Sequence, residues 1–319
     1  MPYNLNSGYG QLEAIALHQN PLGGKTFLVC PSAHPNFQNL QSLFVSDLDG
    51  TVRFFTTLAA ALAATTAARG DVIYIAEGYT DTITSATTLG LSVSGVTIIG
   101  LGYGSLRPTI TYTTATSARI AVSAANITLK NIIFVANFGD IVTAFLLTTA
   151  QDFDVFDCEF RDTDSTHNFL TIITTTVAVV ADGLKFNRNR LNIVGTTAAT
   201  TPIKIAGTHN RVQINDNYIV KAVLNNTSCL LAHGALVVTN LEMARNRIFS
   251  ANTDSASGGF LITTSSTTNS GMVYDNYVNG LDTAAAILVT AGSVYGMMNN
   301  LYDGDADASG FVLPAIGAN

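Results

Sequence analysis

The stretch Leu184-Lys-Phe186-Asn-Arg-Asn189-Arg-Leu191 decides the fold, because it recurs. It returns as Val212-Gln-Ile214-Asn-Asp-Asn217-Tyr-Ile219 and as Leu241-Glu-Met243-Ala-Arg-Asn246-Arg-Ile248, and Val273-Tyr-Asp-Asn276-Tyr-Val278 keeps most of it. Upstream, Phe153-Asp-Val155-Phe-Asp-Cys158-Glu-Phe160 fits with Cys in the place of Asn. Ile127-Thr-Leu129-Lys-Asn-Ile132-Ile-Phe134 and Val96-Thr-Ile98-Ile-Gly-Leu101-Gly-Tyr103 fit with an aliphatic there. Val294-Tyr-Gly296-Met-Met-Asn299-Asn-Leu301 is a degraded last copy. The shared frame is apolar, any, apolar, two spacers, a small inward-facing pivot, any, apolar. Its period-2 alternation, with abundant Thr and β-branched residues between copies, marks strands.

Pivots at 101, 132, 158, 189, 217, 246, 276 and 299 are on average roughly 28 residues apart. That leaves room for about three strands of the usual 5–6 residues per copy, with turns. The long 3.6-period stretches that a helical solenoid needs are absent from residue 70 onward. The chain therefore reads as a parallel β-solenoid, each coil laying one strand on its equivalent in the next. Equivalent residues on neighbouring coils then sit about 4.8 Å apart. The residues before the pivots run Asp157, Arg188, Asp216, Arg245, Asp275, so each charge is expected between two opposite ones. Those after the pivots run Glu159, Arg190, Tyr218, Arg247, Tyr277. The pivots Asn189, Asn217, Asn246, Asn276 and Asn299 are expected to form an amide ladder.

Composition narrows the rest. A chain of 319 residues, 47% hydrophobic, buries a core without staples and is not disordered. Its charged fraction, 12%, is half the globular norm of about 25%. Fifteen basic against 22 acidic residues argue against nucleic acid. No apolar run reaches the roughly 18 residues of a membrane span, and the first twenty residues do not read as an ordinary secretory signal. Cys30, Cys158 and Cys229 lie too far apart for a disulfide framework or a zinc site, and read as small buried hydrophobes. The five histidines, His18, His34, His167, His209 and His233, show no metal-ligand spacing, and His209 reads as a turn residue.

The start of the solenoid carries a family resemblance. An Ala-rich helical segment at 56–69 is followed by Gly70-Asp-Val-Ile-Tyr-Ile-Ala-Glu-Gly78. This resembles the opening of right-handed parallel β-helix proteins of the pectate-lyase-like superfamily, and the resemblance extends over about 56–302. It implies an all-β, right-handed parallel β-helix whose first coil is capped by a short helix, since an open strand edge invites aggregation. The expected organisation is an N-terminal α/β attachment or oligomer region over 1–55, the β-helix over 56–310 with its cap at 56–69, and a C-terminal tail over 311–319. Within the first region, 25–30 and 51–55 read as short strands and 37–44 as a short helix.

Three motifs were weighed as chemistry. Leu43-Phe-Val-Ser-Asp47-Leu-Asp49-Gly-Thr51 matches the nucleophile motif of haloacid-dehalogenase-like phosphatases, but the Lys and acidic partners that such chemistry needs do not follow, so it reads as a turn. The acids Asp152, Asp154, Asp157, Glu159, Asp162 and Asp164 offer paired carboxylates for glycoside hydrolysis or a Ca²⁺ site. Alternation places Asp152 and Asp154, and in one reading Glu159, outward. The same acids also fit an inter-coil ladder in which Arg188 and Arg190 neutralise Asp157 and Glu159. Asp303-Gly-Asp305-Ala-Asp307 starts like a calcium loop but lacks the closing Glu. The ladder is the favoured reading, and no residue is assigned as catalytic, cofactor-binding or metal-binding.

The order of N-terminal module, helix and Gly-Asp strand is also similar to small virion proteins of tailed bacteriophages. That resemblance implies a non-enzymatic structural component of the phage particle, a trimeric capsid decoration or head-fibre-type protein located in the virion. Its implied partners are two further copies and a major capsid or other virion protein docked at the N-terminal region, with no nucleic acid, membrane or cofactor and a host glycan as a candidate ligand. The alternative is a polysaccharide-degrading lyase, hydrolase or tailspike depolymerase working on an acidic face of the β-helix.

Overall fold

A computed structural model describes residues 23–44, 50–176, 180–194, 201–221, 230–234, 237–250, 259–264, 268–281, 287–289, 295–304 and 310–311. Three sheets run the length of the molecule as the faces of a parallel β-helix. The first sheet stacks nine coil strands from Val72–Ile75 to Gly296–Met298. The second runs from Thr80–Ile83 to Leu301–Gly304 and the third from Leu89–Leu91 to Ile287–Val289. Eight steps carry the first sheet from Val72 to Gly296, 224 residues or 28 per coil, as the sequence period implied.

The recurring frame is the corner between the first and second sheets. Strand Asp154–Phe156 ends, Asp157 turns at φ 53°, Cys158 points inward and Glu159 opens the next strand. The same corner uses Asn131, Arg188, Asp216, Arg245, Asp275 and Asn299 at φ between 52° and 61°. The left-handed region suits Asn and Asp, whose short side chains tolerate it; Arg188 and Arg245 occupy it without that advantage. One residue per coil thus makes the bend, and the next is delivered to the interior.

That next residue is the amide ladder. Asn217 is buried and donates from Nδ2 to Asn246 Oδ1 (2.9 Å) and to the Phe186 carbonyl (2.8 Å), while its backbone N–H also reaches Asn246 Oδ1 (3.1 Å). Asn246 and Asn276 repeat the pattern; Asn189 keeps its N–H on Asn217 Oδ1 (2.9 Å) and its Nδ2 on the Val155 carbonyl (3.0 Å), and its Oδ1 caps the Cys158 N–H at 3.0 Å. The last rung is Asn300, which receives Asn276 Nδ2 at 2.9 Å. The expected pivot Asn299 is one residue early: strand Gly296–Met298 pairs Met298 with Tyr274, so Asn299 takes the corner.

Inside, Phe134, Phe160 and Phe186 lie on successive coils with centroids 5.1 and 5.8 Å apart, and Tyr112, fully buried, donates to the Ala144 carbonyl at 3.1 Å. Burying aromatics of this size supplies most of the driving force. Cys158 is buried among them and its thiol is pushed up to about 12 by burial, so it stays unreactive.

At the N-terminal end, Thr26–Val29 extends the first sheet beside Val72–Ile75, with Phe54–Phe55 on its outer side and helix α1 (Phe37–Leu43) alongside. Helix α2 (Leu58–Ala63) inserts Leu58, Ala61 and Leu62 into the core and is N-capped by Thr57, whose side chain accepts from the Ala60 N–H at 3.3 Å. It is shorter than 56–69 because the chain must turn, with Ala68 at φ 57° and Gly70 at 79°, to bring Asp71 back. Asp71 is fully buried and accepts from Lys25 N–H, Thr66 N–H and both Nε and Nη2 of Arg69 (2.6–2.8 Å). At the far end, Gly310–Phe311 folds back antiparallel on Leu301–Gly304. Among the described residues no helix is long and apolar enough to cross a membrane.

Candidate active site on the first sheet

The six acids of the 152–164 cluster separate into different environments. Asp162 is buried, each oxygen holding a backbone N–H, Phe169 at 3.0 Å and Val194 at 3.0 Å; it ties coils together. Asp164 closes an exposed turn on the N–H groups of Thr166 and His167 and the His167 ring, contacts that pull its carboxyl well below the usual range. Glu159 is not outward and free. It is 6% exposed and clasped by Arg107 and by Arg161 Nε (2.6 Å), and its expected partner Arg190 lies over Tyr218 instead. Burial raises the Glu159 carboxyl and the two guanidinium groups outweigh it, so the net shift is downward.

Asp157 pairs with Arg188 (Nε 2.8 Å, Nη2 3.1 Å), and Asp216 pairs the same way with Arg245 (2.7 and 2.9 Å). The hydrogen bonds form dyads with the preceding coil, while the expected alternation persists as longer-range attraction: Lys130 reaches Asp157 at 3.8 Å from the other side and the Asp216 charge also acts on Arg188. The forked guanidinium engages one carboxylate with two donors, which leaves it turned away from the next.

Asp152 and Asp154 remain together at the start of one first-sheet strand, the first half-exposed and the second largely covered. Asp152 turns at φ 52° at the entry to the first sheet, and Asp154 points outward two residues later. Asp152, Gly183 and Arg211 occupy one row on three successive coils, two residues before the paired Asp154, Lys185 and Gln213. Arg211 Nη2 reaches Asp152 Oδ1 at 3.6 Å across Gly183, and a Cβ at Gly183 would collide with that same oxygen. Glycine at 183 is therefore a condition of the carboxylate's position, quite apart from its φ of 76°. Asp154 Oδ2 accepts from Lys185 Nζ at 3.3 Å, whereas Oδ1 is buried with no hydrogen-bond partner. Burial lifts the Asp154 carboxyl above its ordinary value, with Lys185 opposing and the Asp152 charge adding to the rise.

Register made Lys185 legible, since it lies 31 residues after Asp154 like the pivots 158 and 189. Arg107 had no such signal, because it lies in a longer early corner that includes the 3-10 turn Gly104–Leu106. His209 corrects its turn assignment: it is wholly buried, Nε2 against the Ala206 carbonyl at 3.0 Å and Nδ1 accepting from the Ala181 N–H at 3.4 Å. Asp47, Asp49, Asp305, Asp307, His18 and Cys229 lie outside the described residues, as do the side chains of His233 and Asp303. Among the described residues no group of His, Cys, Asp and Glu gathers as a metal cage.

No protein-family model matches the chain, and no curated protein matches it in sequence. Its architecture is that of the parallel β-helix proteins. Among solved structures it is similar to pectin methylesterase from Aspergillus niger in deglycosylated form, at 13% identity, 92% coverage of each chain and TM-score 0.46. A second crystal form of that enzyme, with one N-acetylglucosamine stub, gives 14% identity, the same coverage and the same TM-score. Both are structures of an enzyme, which runs against the expectation of a non-enzymatic protein. The likeness is one of general plan and transfers no residue and no substrate.

Proposed function

We propose that the chain acts on a polysaccharide, with Asp154 as general acid and Asp152 as its carboxylate partner. The observation that carries this reading is the unpartnered, buried Oδ1 of Asp154 in a carboxyl held above its ordinary value. Buried polar atoms are almost always satisfied, and an orphaned carboxylate oxygen favours the protonated form of Asp154. A carboxyl raised by burial keeps its proton nearer neutrality and can deliver it to the oxygen of a departing sugar. Asp152, paired with Arg211 at 3.6 Å, is the second carboxylate that glycoside hydrolysis requires beside the acid. Lys185 holds Oδ2 of Asp154 at 3.3 Å, which fixes the carboxyl in one orientation.

Release of reducing ends from a panel of polysaccharides is the direct test. Asp154→Asn should lower the rate by roughly 10²–10⁴-fold, the usual share of general acid catalysis, with melting temperature unchanged. Equal rates in the two proteins would remove Asp154 from the chemistry.

A further inference from the structure

We infer that the outer face of the second sheet, over Arg190, Tyr218, Arg247 and Tyr277, is a binding track for an acidic polysaccharide that carries its charge on alternate sugars. This track is separate from Asp152 and Asp154 and does not depend on their cleaving anything.

The four residues are direct register partners on four successive coils. Arg69, Arg107, Arg161, Arg188, Arg211 and Arg245 each sit against a carboxylate. Arg190 and Arg247 are exposed and, among the described residues, have no carboxylate at ion-pair distance, although Arg190 leans over the Tyr218 ring at 6.0 Å and must swing off it to admit a sugar there. They stand two coils apart, roughly 9.6 Å from strand spacing alone, with Tyr218 between them and 42% exposed. Phe249, one pleat further along the strand, bridges the rings, 5.2 Å from Tyr218 and 5.6 Å from Tyr277. A groove of about 440 Å³ opens at the end of the track, where Asp275 is its one acidic wall residue.

A polymer lying along this face meets guanidinium, ring, guanidinium, ring. The guanidinium fork matches a carboxylate or sulfate with two donors. The ring face is electrostatically negative and accepts the apolar side of a neutral sugar in preference to an anion. A chain charged at every unit would place every second anion over a tyrosine. The protein's net charge of −7 does not forbid this, since exposed charges beyond about 8 Å are largely screened at physiological salt.

Binding should be measured by fluorescence anisotropy with labelled hyaluronate and chondroitin oligosaccharides, which carry a carboxylate on every second sugar. Polygalacturonate, cello-oligosaccharide and single-stranded DNA serve as comparisons, all on the Asp154→Asn background so that cleavage plays no part. Tighter binding by tenfold or more to an alternating probe is expected, weakening as salt rises. The double change Arg190→Gln and Arg247→Gln should cost at least tenfold, the Lys pair at the same sites should keep the salt-dependent part, and Tyr218→Ala should weaken binding without altering the salt slope. Binding to neither alternating probe, equal or tighter binding to any comparison, or an unaffected glutamine variant overturns the track. Turnover by the unmodified protein reads the Asp154 proposal independently.

Discussion

At Asn246 one side chain closes four hydrogen bonds: Oδ1 accepts from the N–H and Nδ2 of Asn217, and Nδ2 donates to the Ile214 carbonyl and to Asn276 Oδ1. Each partner is buried, so deleting the amide leaves donors and acceptors with no water to replace it. Asn246→Ala should lower unfolding free energy by about 2–4 kcal/mol in urea titration, from two or more stranded groups at roughly 1–3 kcal/mol each. His209 is a second residue whose burial has a measurable consequence. Burial depresses its pKa, with the Ala206 carbonyl and Asp182 opposing. The folded chain therefore holds the neutral ring, while the unfolded chain takes up a proton below about 6.5. Stability should fall as pH drops through that value towards the lower folded one, and a His209→Gln variant should show a shallower loss of melting temperature between pH 8 and 5. An identical slope in both proteins would remove His209 as the cause.

Among the elements, the N-terminal cap depends on one carboxylate. Burial raises Asp71, but Arg69 and the N–H groups of Thr66 and Lys25 more than reverse this, leaving it lowered. Its contribution is complete above the ordinary carboxylate value near 3.9 and is lost as pH falls through the folded one. Asp71→Ala should cost about 3 kcal/mol by stranding those donors, and hydrogen exchange should show the faster opening in 26–29 and 58–63 before the central coils. The Arg188–Asp157 and Arg245–Asp216 dyads are exposed and contribute under about 1 kcal/mol each, so they fix register more than they stabilise. The same contrast explains what could be read beforehand. The corner frame repeats at fixed offsets, so pivots from Ile132 to Asn276 are legible in the sequence; Leu101, expected as the first, instead packs outside the solenoid interior with Leu28, Cys30 and Ala76. At the last coil Asn299 and Asn300 stand side by side, and only strand pairing separates corner from rung. The stacking of 26–29 on the first coil carried no amide signal, because Cys30 and Ala76, in register with the later rungs, pack with Leu40 of helix α1 instead of facing the interior. Asp154 could be placed outward from alternation; that one of its oxygens is covered depends on neighbours that no periodicity encodes.

Over the whole molecule the main hydrophobic core runs from Phe27 to Tyr295, with a smaller cluster of Leu28, Cys30, Leu40, Phe44, Ala76 and Leu101 at the N-terminal end, and each coil touches chiefly the coils before and after it. Such a stack is close to one-dimensional, with stability built from coil and interface terms. Its ends matter for the same reason, since each exposes a row of unpaired backbone groups. Helix α2 and the outer strands 26–29 and 54–55 cover one end, and the antiparallel turn-back at 310–311 covers part of the other.

From Asn131 onward the corner between the first and second sheets is always two residues, while coil length varies between 24 and 31. All of that variation falls at the other two corners. An added residue at Asp216 would swap bend and rung and push Asn217 out of the interior, whereas the rest of the coil already accommodates differences of seven residues, from 24 to 31. The molecule therefore has one seam closed to length change and two open to it, and descendants or designed insertions can acquire new loops only along the open seams.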